Sequence, residues 1–265
     1  MTTTSTTKYA PGTFCWADLA TTDTTAARAF YGAVFGWQGD DSEMAPGMVY
    51  TLLRKSDGRD VGAMYRMQPG FHADGTPPFW LAYVSVASAD EAARSSIELG
   101  GGVLMAPSDA HDKGRMAILR DPIGAAFAVW EARASAGAQA MQEPNALTWF
   151  QLNATAPDLA KTFYSGLLGW NHRDDAFDGG VYTTWLGSDG PRGGMMPMEP
   201  ETAAHAPSHW LVYFAVDDVD ATTQNATRFG GRAMVPPTDI PGTGRFAVLQ
   251  DPQGAIFAIV KFASA

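Results

Sequence analysis

The sequence predicts an α+β protein built from four βαβββ modules, and three observations predict it. The two halves of the chain repeat one another, each half mixes period-two apolar runs with helical runs, and glycine-bearing turn signals separate them. Trp16, Phe30-Tyr31 and Gly36-Trp37 return 133 positions later as Trp149, Phe163-Tyr164 and Gly169-Trp170. Trp80-Leu81, Gly100-Gly101, Gly114-Arg115, Asp121-Pro122 and Gly124-Ala125 return 130 positions later as Trp210-Leu211, Gly230-Gly231, Gly244-Arg245, Asp251-Pro252 and Gly254-Ala255. The modules therefore run 1-2-3-4, with 1 like 3 and 2 like 4.

Module 1 opens with an alternating strand over 13–21. Asp23 caps the following helix, whose Ala26, Ala27, Phe30, Tyr31 and Val34 fall at helical spacing, and Gly36 ends it. Residues 49–55 and 61–67 read as strands around a Ser56-Asp57-Gly58-Arg59 hairpin. Module 2 reads as a strand over 79–86, a helix over 89–99 stopped by three glycines, and strands over 103–106, 115–120 and 125–131. Modules 3 and 4 repeat both patterns. The first domain covers 11–132 and the second 145–262. The small, polar stretch 133–144 reads as a linker, with a short helix as the alternative because alanine favours one.

The chain has 265 residues, 46 % of them hydrophobic and 17 % charged, a balance that supports folded cores. A net charge of −10 without a basic cluster argues against nucleic acid and anionic membranes as partners. The single cysteine, Cys15, allows no internal disulfide and no cysteine-based zinc site. No apolar run reaches the roughly 20 residues of a membrane span, and residues 1–8 form a polar tail without signal-peptide order. A cytoplasmic location is the simplest expectation.

The module order, the Asp…Ala-x-x-Phe-Tyr-x-x-x-x-Gly-Trp run of module 1, its variant in module 3 and the Asp-Pro-x-Gly turns of modules 2 and 4 carry a family likeness. Over about residues 11–262 the chain resembles the vicinal-oxygen-chelate (glyoxalase/bleomycin-resistance/dioxygenase) superfamily. In its two-domain form it is similar to actinobacterial glyoxalase-like and hydroxylase-like proteins. The resemblance implies that paired modules form two half-open β-barrel domains, with helices outside and a pocket in each barrel. It also implies where metal-using members place their ligands: His or Gln on the first strand, His on the matching strand of the next module, and Glu on the final strands. Those positions fall on Trp16, Leu81 and Ala128 in the first domain and on Trp149, Leu211 and Ala258 in the second. A fourth falls near Met64 or Tyr65, and near Met195 or Met196. None is a hard or borderline ligand, so no cofactor is predicted and a divalent metal is disfavoured.

Strand alternation then selects the pocket-facing residues. Phe14, Trp16, Asp18 and Ala20 share one face of the first strand. Module 2 adds Leu81, Tyr83, Ser85, Ala128 and Trp130. The second domain supplies Trp149, Gln151, Asn153, Leu211 and Tyr213, with Met64 and Met195 nearby. Such an aromatic, sulfur-rich set suits a planar hydrophobic ligand, although the same side chains can simply fill a barrel.

Asp18 is the acid–base candidate, because a carboxylate on an apolar strand face needs a partner or a task. The alternative is a strand-end residue in solvent or paired with an arginine such as Arg66 or Arg115. His111 and Tyr83 are further catalytic candidates; His205 and His209 flank Pro207, where a loop role competes. Arg115 and Arg245 suit bracing of Asp109 and Asp239. Cys15 reads as buried and inert.

These residues support a metal-independent protein that binds a hydrophobic, aromatic metabolite or antibiotic, as a monomer or homodimer. The alternative is a cofactor-independent isomerase, lyase, cyclase or oxygenase using Asp18, His111 or Tyr83. A divalent-metal enzyme with an atypical ligand such as His209 is the third reading.

Overall fold

The computed structural model describes residues 9–45, 47–67, 75–177, 180–204 and 206–263; the 1–8 tail and His205 lie outside them. The fold is α+β, with the βαβββ order four times. Module 1 comprises β1 (Phe14–Thr21), α1 (Thr24–Phe35), β2 (Gln38–Ala45), β3 (Met48–Arg54) and β4 (Asp60–Arg66). Module 2 comprises β5 (Phe79–Ser85), α2 (Ala89–Glu98), β6 (Gly102–Ala110), β7 (Gly114–Arg120) and β8 (Ala126–Ala132). Module 3 comprises β9 (Leu147–Ala154), α3 (Pro157–Leu168), β10 (Asn171–Phe177), β11 (Gly180–Gly187) and β12 (Gly190–Pro197). A one-turn α4 (Pro200–Ala203), which the pattern does not announce, leads to module 4: β13 (His209–Ala215), α5 (Val219–Arg228), β14 (Arg232–Ile240), β15 (Gly244–Gln250) and β16 (Ile256–Phe262).

The helix ends follow their capping chemistry. Asp23 accepts from the Ala26 N–H at 3.0 Å, and Gly36 closes α1 in the left-handed region at φ 71°. Glu131, the acid of β8, accepts from the Ala89 N–H at 3.0 Å and so secures the start of α2.

Strand pairing stays within each half of the sequence. One eight-stranded sheet runs β2-β3-β4-β1-β5-β8-β7-β6 and the other β10-β11-β12-β9-β13-β16-β15-β14, each of the half-barrel kind. Within each module the first strand lies parallel to the last. That parallel contact is close. A side chain at Gly62 would press within 2.9 Å of the Ala17 carbonyl, and one at Gly193 within 2.5 Å of the Phe150 carbonyl. Glycine recurs at this point because the backbones leave no room for a Cβ.

Compact packing divides the chain differently, into Met1–Trp16 with Ala82–Gly137 and Trp149–Leu211, and Ala17–Leu81 with Ala138–Thr148 and Val212–Ala265. In the first unit Trp210 Nε1 donates to Tyr164 Oη at 2.8 Å, and Tyr164 Oη donates to Asp121 Oδ2 at 2.9 Å. Asp121 Oδ1 meanwhile accepts the Ile123 and Ala125 N–H groups of its own turn. The second unit repeats the circuit: Trp80 Nε1 donates to Tyr31 Oη at 3.0 Å, and Tyr31 Oη to Asp251 Oδ2 at 3.0 Å. Burial pushes both carboxyls above the ordinary aspartate value, against the pull of these donors. The repeated Phe-Tyr, Trp-Leu and Asp-Pro-x-Gly motifs therefore build two buried circuits that hold the fold.

The 133–144 segment forms no helix. Ala136, Ala138 and Ala140 are buried, and Gly137 adopts φ 126° against the Cys15 carbonyl, where a Cβ would overlap it. Further along, Gln139 N–H donates to the Asp60 carbonyl at 2.7 Å, and Lys55 and Arg59 clasp Glu143. Arg59 and then Lys55 hold the Glu143 carboxyl down to about 2. Because that value is depressed, the clasp contributes stability above glutamate's ordinary range and loses it as pH falls. Thermal melts from about pH 5 down to about pH 2 are expected to show wild type and Glu143→Gln converging; a constant gap across that range contradicts the clasp.

Candidate functional site

In the second unit the register of β3, β4 and β1 settles which side chains share a face. Asp18 pairs with Ala63 and Ala20 with Tyr65, while Tyr50 pairs with Tyr65 and Leu52 with Ala63. Tyr50, Leu52 and Tyr65 are half-buried, whereas Leu19, Met64, Leu53 and Thr51 on the opposite face are 0–1 % exposed. Asp18 belongs to the half-buried face but is itself only 3 % exposed. Tyr50 Oη donates to Asp18 Oδ1 at 2.7 Å, the short distance expected of a hydrogen bond to a carboxylate. Burial, and after it the Asp18 charge, raises the Tyr65 phenol above its ordinary value.

In the first unit the same face of module 3 carries a different set. Trp149, Gln151 and Asn153 alternate along β9; Gly194 pairs with Gln151 and Met196 with Asn153 on β12. Trp149 Nε1 donates to Tyr182 Oη at 2.9 Å, and burial pushes the Tyr182 phenol up to about 12. Tyr182 lies over Gly194, where a Cβ would overlap its ring and hydroxyl. The equivalent of Gly194 in module 1 is Ala63, and there Tyr50 reaches Asp18 instead. Gly194→Ala is accordingly expected to displace Tyr182 and release the Trp149 indole, read as a changed Trp149 indole N–H resonance by NMR; an unmoved resonance contradicts it.

A chain of hydrogen bonds continues along β9. His209 Nδ1 faces the Pro207 carbonyl at 2.9 Å, which can only accept, so Nδ1 carries the proton and Nε2 accepts from Asn153 Nδ2 at 3.1 Å. Gln151 Nε2 then donates to Asn153 Oδ1 at 3.0 Å. His209 thus orients two amides.

The other expected site residues divide between faces and structural tasks. Tyr83 pairs with Ala128 and Ser85 with Trp130, so these four share a face in the first unit. Ser85 Oγ is engaged by the Tyr9 carbonyl at 3.1 Å, and Trp130 Nε1 donates to the Ser135 carbonyl at 3.0 Å. Leu81, Leu211 and Tyr213 are buried, and Tyr213 pairs with Ala258. Met64 and Met195 are corrections: they pair with Leu19 and Leu152 and are 0 % exposed on the helix-covered side, so Tyr65 and Met196 take the open face. A one-residue step along a strand reverses the face. Phe14, too, stacks on Phe150 at 4.0 Å within an aromatic core. His111 sits in the exposed β6–β7 turn at φ 50°, where turn geometry accounts for it. Arg115 brackets Asp90 and Asp109, and Arg245 brackets Asp220 and Asp239, as hairpin braces. Tyr50, Tyr65, Tyr182 and Met196 complete the two faces; only strand register reveals Tyr50 and Tyr182.

Among the described residues no three His, Cys, Asp or Glu side chains group to hold a metal ion. The indole, isobutyl and methyl side chains at Trp16, Leu81 and Ala128, and at Trp149, Leu211 and Ala258, offer no donor to a divalent ion. The residues at the positions where the resemblance implies metal ligands therefore do not fit such an ion.

A sequence profile of the Glyoxalase/Bleomycin resistance protein/Dioxygenase superfamily matches residues 13–129 and again 146–259. The CFP32 protein of Mycobacterium tuberculosis, whose name marks it as a provisional glyoxylase, is 41 % identical over 255 residues, 96 % of each chain. The anthracycline biosynthesis protein DnrV of Streptomyces peucetius is 36 % identical, covering 96 % of this chain and 95 % of its own. Among solved structures, the Mn(II)-bound glyoxalase of Novosphingobium aromaticivorans superposes with a TM-score of 0.62 at 17 % identity, covering 96 % of this chain and 84 % of that one. An extradiol ring-cleaving dioxygenase from B. fuscum gives a TM-score of 0.64 at 15 % identity, covering 94 % and 71 %. These two structures share the fold.

Proposed function

The chain belongs to the Glyoxalase/Bleomycin resistance protein/Dioxygenase superfamily, and from that premise we propose that it binds a flat, hydrophobic aromatic small molecule without a metal. One observation carries the reading: Trp149, Tyr182 and Met196 stand half-buried on an open face while the opposite face of the same strands is closed. Rings presented this way offer stacking surface, and a thioether adapts to the ligand's edge. Gln151, Asn153 and His209 supply polar groups that fix a ligand's orientation. The relatives named for anthracycline biosynthesis support aromatic polyketides as the ligand class. A net charge of −10 disfavours nucleic acid. No helix among the described residues is long and apolar enough to cross a membrane.

Tryptophan-fluorescence titration with an anthracycline aglycone tests the reading. Wild type is expected to bind, and Trp149→Ala to bind roughly tenfold more weakly, since an aromatic pair contributes about 0.5–1.5 kcal/mol beyond its buried area. Equal affinity in the two proteins removes Trp149 from the binding face.

A further inference from the structure

We propose that the Asp18 face performs proton transfer on a bound aromatic ketone, with Asp18 as the base and Tyr50 as the residue that positions it. The proposal rests on the reading that these faces take aromatic molecules, and goes beyond binding to a reaction.

Three observations point to it. Asp18 is a carboxylate at 3 % exposure on the face whose neighbouring phenols remain half-buried. Its Oδ1 is fixed by Tyr50 at 2.7 Å, and Tyr65 stands in register beside Tyr50 on the same face. The duplicated module supplies an internal comparison. Module 3 keeps the tyrosine, as Tyr182, but places Gln151 where Asp18 stands and Met196 where Tyr65 stands. An aromatic platform is thus present twice, whereas a carboxylate within it is present once. A carboxylate withdrawn from water and oriented by a phenol is a base prepared for a weakly acidic C–H.

In the step, Asp18 removes a proton from the carbon next to the ketone. The C–H electron pair becomes the C=C bond of an enolate, and the carbonyl π pair moves onto oxygen. The Tyr65 O–H on the same face donates a hydrogen bond to that oxygen. The Asp18 carboxylic acid then returns the proton to the same carbon or to one conjugated with it. The outcome is exchange or tautomerisation; nothing is oxidised or reduced and no co-reactant is consumed.

2-Tetralone, a bicyclic aromatic ketone, serves as the probe. Its α-proton signals are followed by NMR in deuterated buffer with the full chain, and saturation-transfer difference in the same tube reports binding. Wild type is expected to exchange the α-protons at least tenfold faster than buffer. Asp18→Asn should return exchange to the buffer rate while the saturation-transfer signal persists. Tyr50→Phe should lower the turnover number with little change in KM, which a purely structural role would not do. Should Asp18→Asn fail to fold, Asp18→Glu is read instead and should exchange at least tenfold more slowly than wild type. Binding with exchange at the buffer rate, or an Asp18 variant as fast as wild type, overturns the proposal and leaves the binding reading standing. Absence of any saturation-transfer signal overturns the binding reading and this inference with it.

Discussion

Replacing Asp121 by alanine is expected to cost on the order of 3–5 kcal/mol of folding stability. The carboxylate accepts the Tyr164 hydroxyl and two backbone N–H groups while 2 % exposed. Alanine would leave those donors buried without an acceptor, and each orphaned group costs about 1–3 kcal/mol. The Tyr164 hydroxyl also receives Trp210 Nε1, so the loss reaches a third residue. Asp251→Ala should cost a similar amount through Tyr31 and Trp80. Asp109, paired with Arg115 and Arg133 at the surface, should cost far less than Asp121 on the same replacement. Urea unfolding of the three variants checks the ranking, and equal losses for Asp121 and Asp109 would deny the buried circuit its role.

Gly137→Ala is expected to destabilise the fold by about 3 kcal/mol. Its φ of 126° is a conformation L side chains rarely adopt, and the new methyl would overlap the Cys15 carbonyl. Strain alone accounts for about 1–3 kcal/mol, and the overlap adds to it. Gly58→Ala separates the two contributions. Gly58 has φ 86° and nothing within 4 Å of an added Cβ, so it carries strain without overlap and should lose visibly less. Matching melting temperatures for the two variants would mean that the 133–144 segment yields without resistance.

Much of the fold is legible in the sequence because its repeats are physical necessities. Asp121, Asp251, Tyr31, Tyr164, Trp80 and Trp210 recur because the same buried circuit is built twice, although nothing in the spacing reveals which copies bond. Residues 38–45 and 171–177 carry no strand signal; β2 and β10 are outer strands of their sheets, and every residue of β10 is exposed, so neither shows apolar alternation. The site was legible in part. Asp18 stands out as a charge on an apolar strand, and Gln151 as its counterpart. Tyr50 does not, since its hydrogen bond to Asp18 depends on the pairing of β3 with β4 and β4 with β1. Met64 and Met195 mislead because parity along a strand cannot be counted across a hairpin whose register shifts, as β3–β4 and β11–β12 both do.

Metal-free binding of an aromatic molecule is the central claim, and calorimetric titration of chelator-treated protein with an anthracycline aglycone tests it most directly. Saturable binding that added Mn(II), Fe(II) or Zn(II) leaves unchanged is the predicted result. Binding that emerges only after one of those ions is restored would contradict the account.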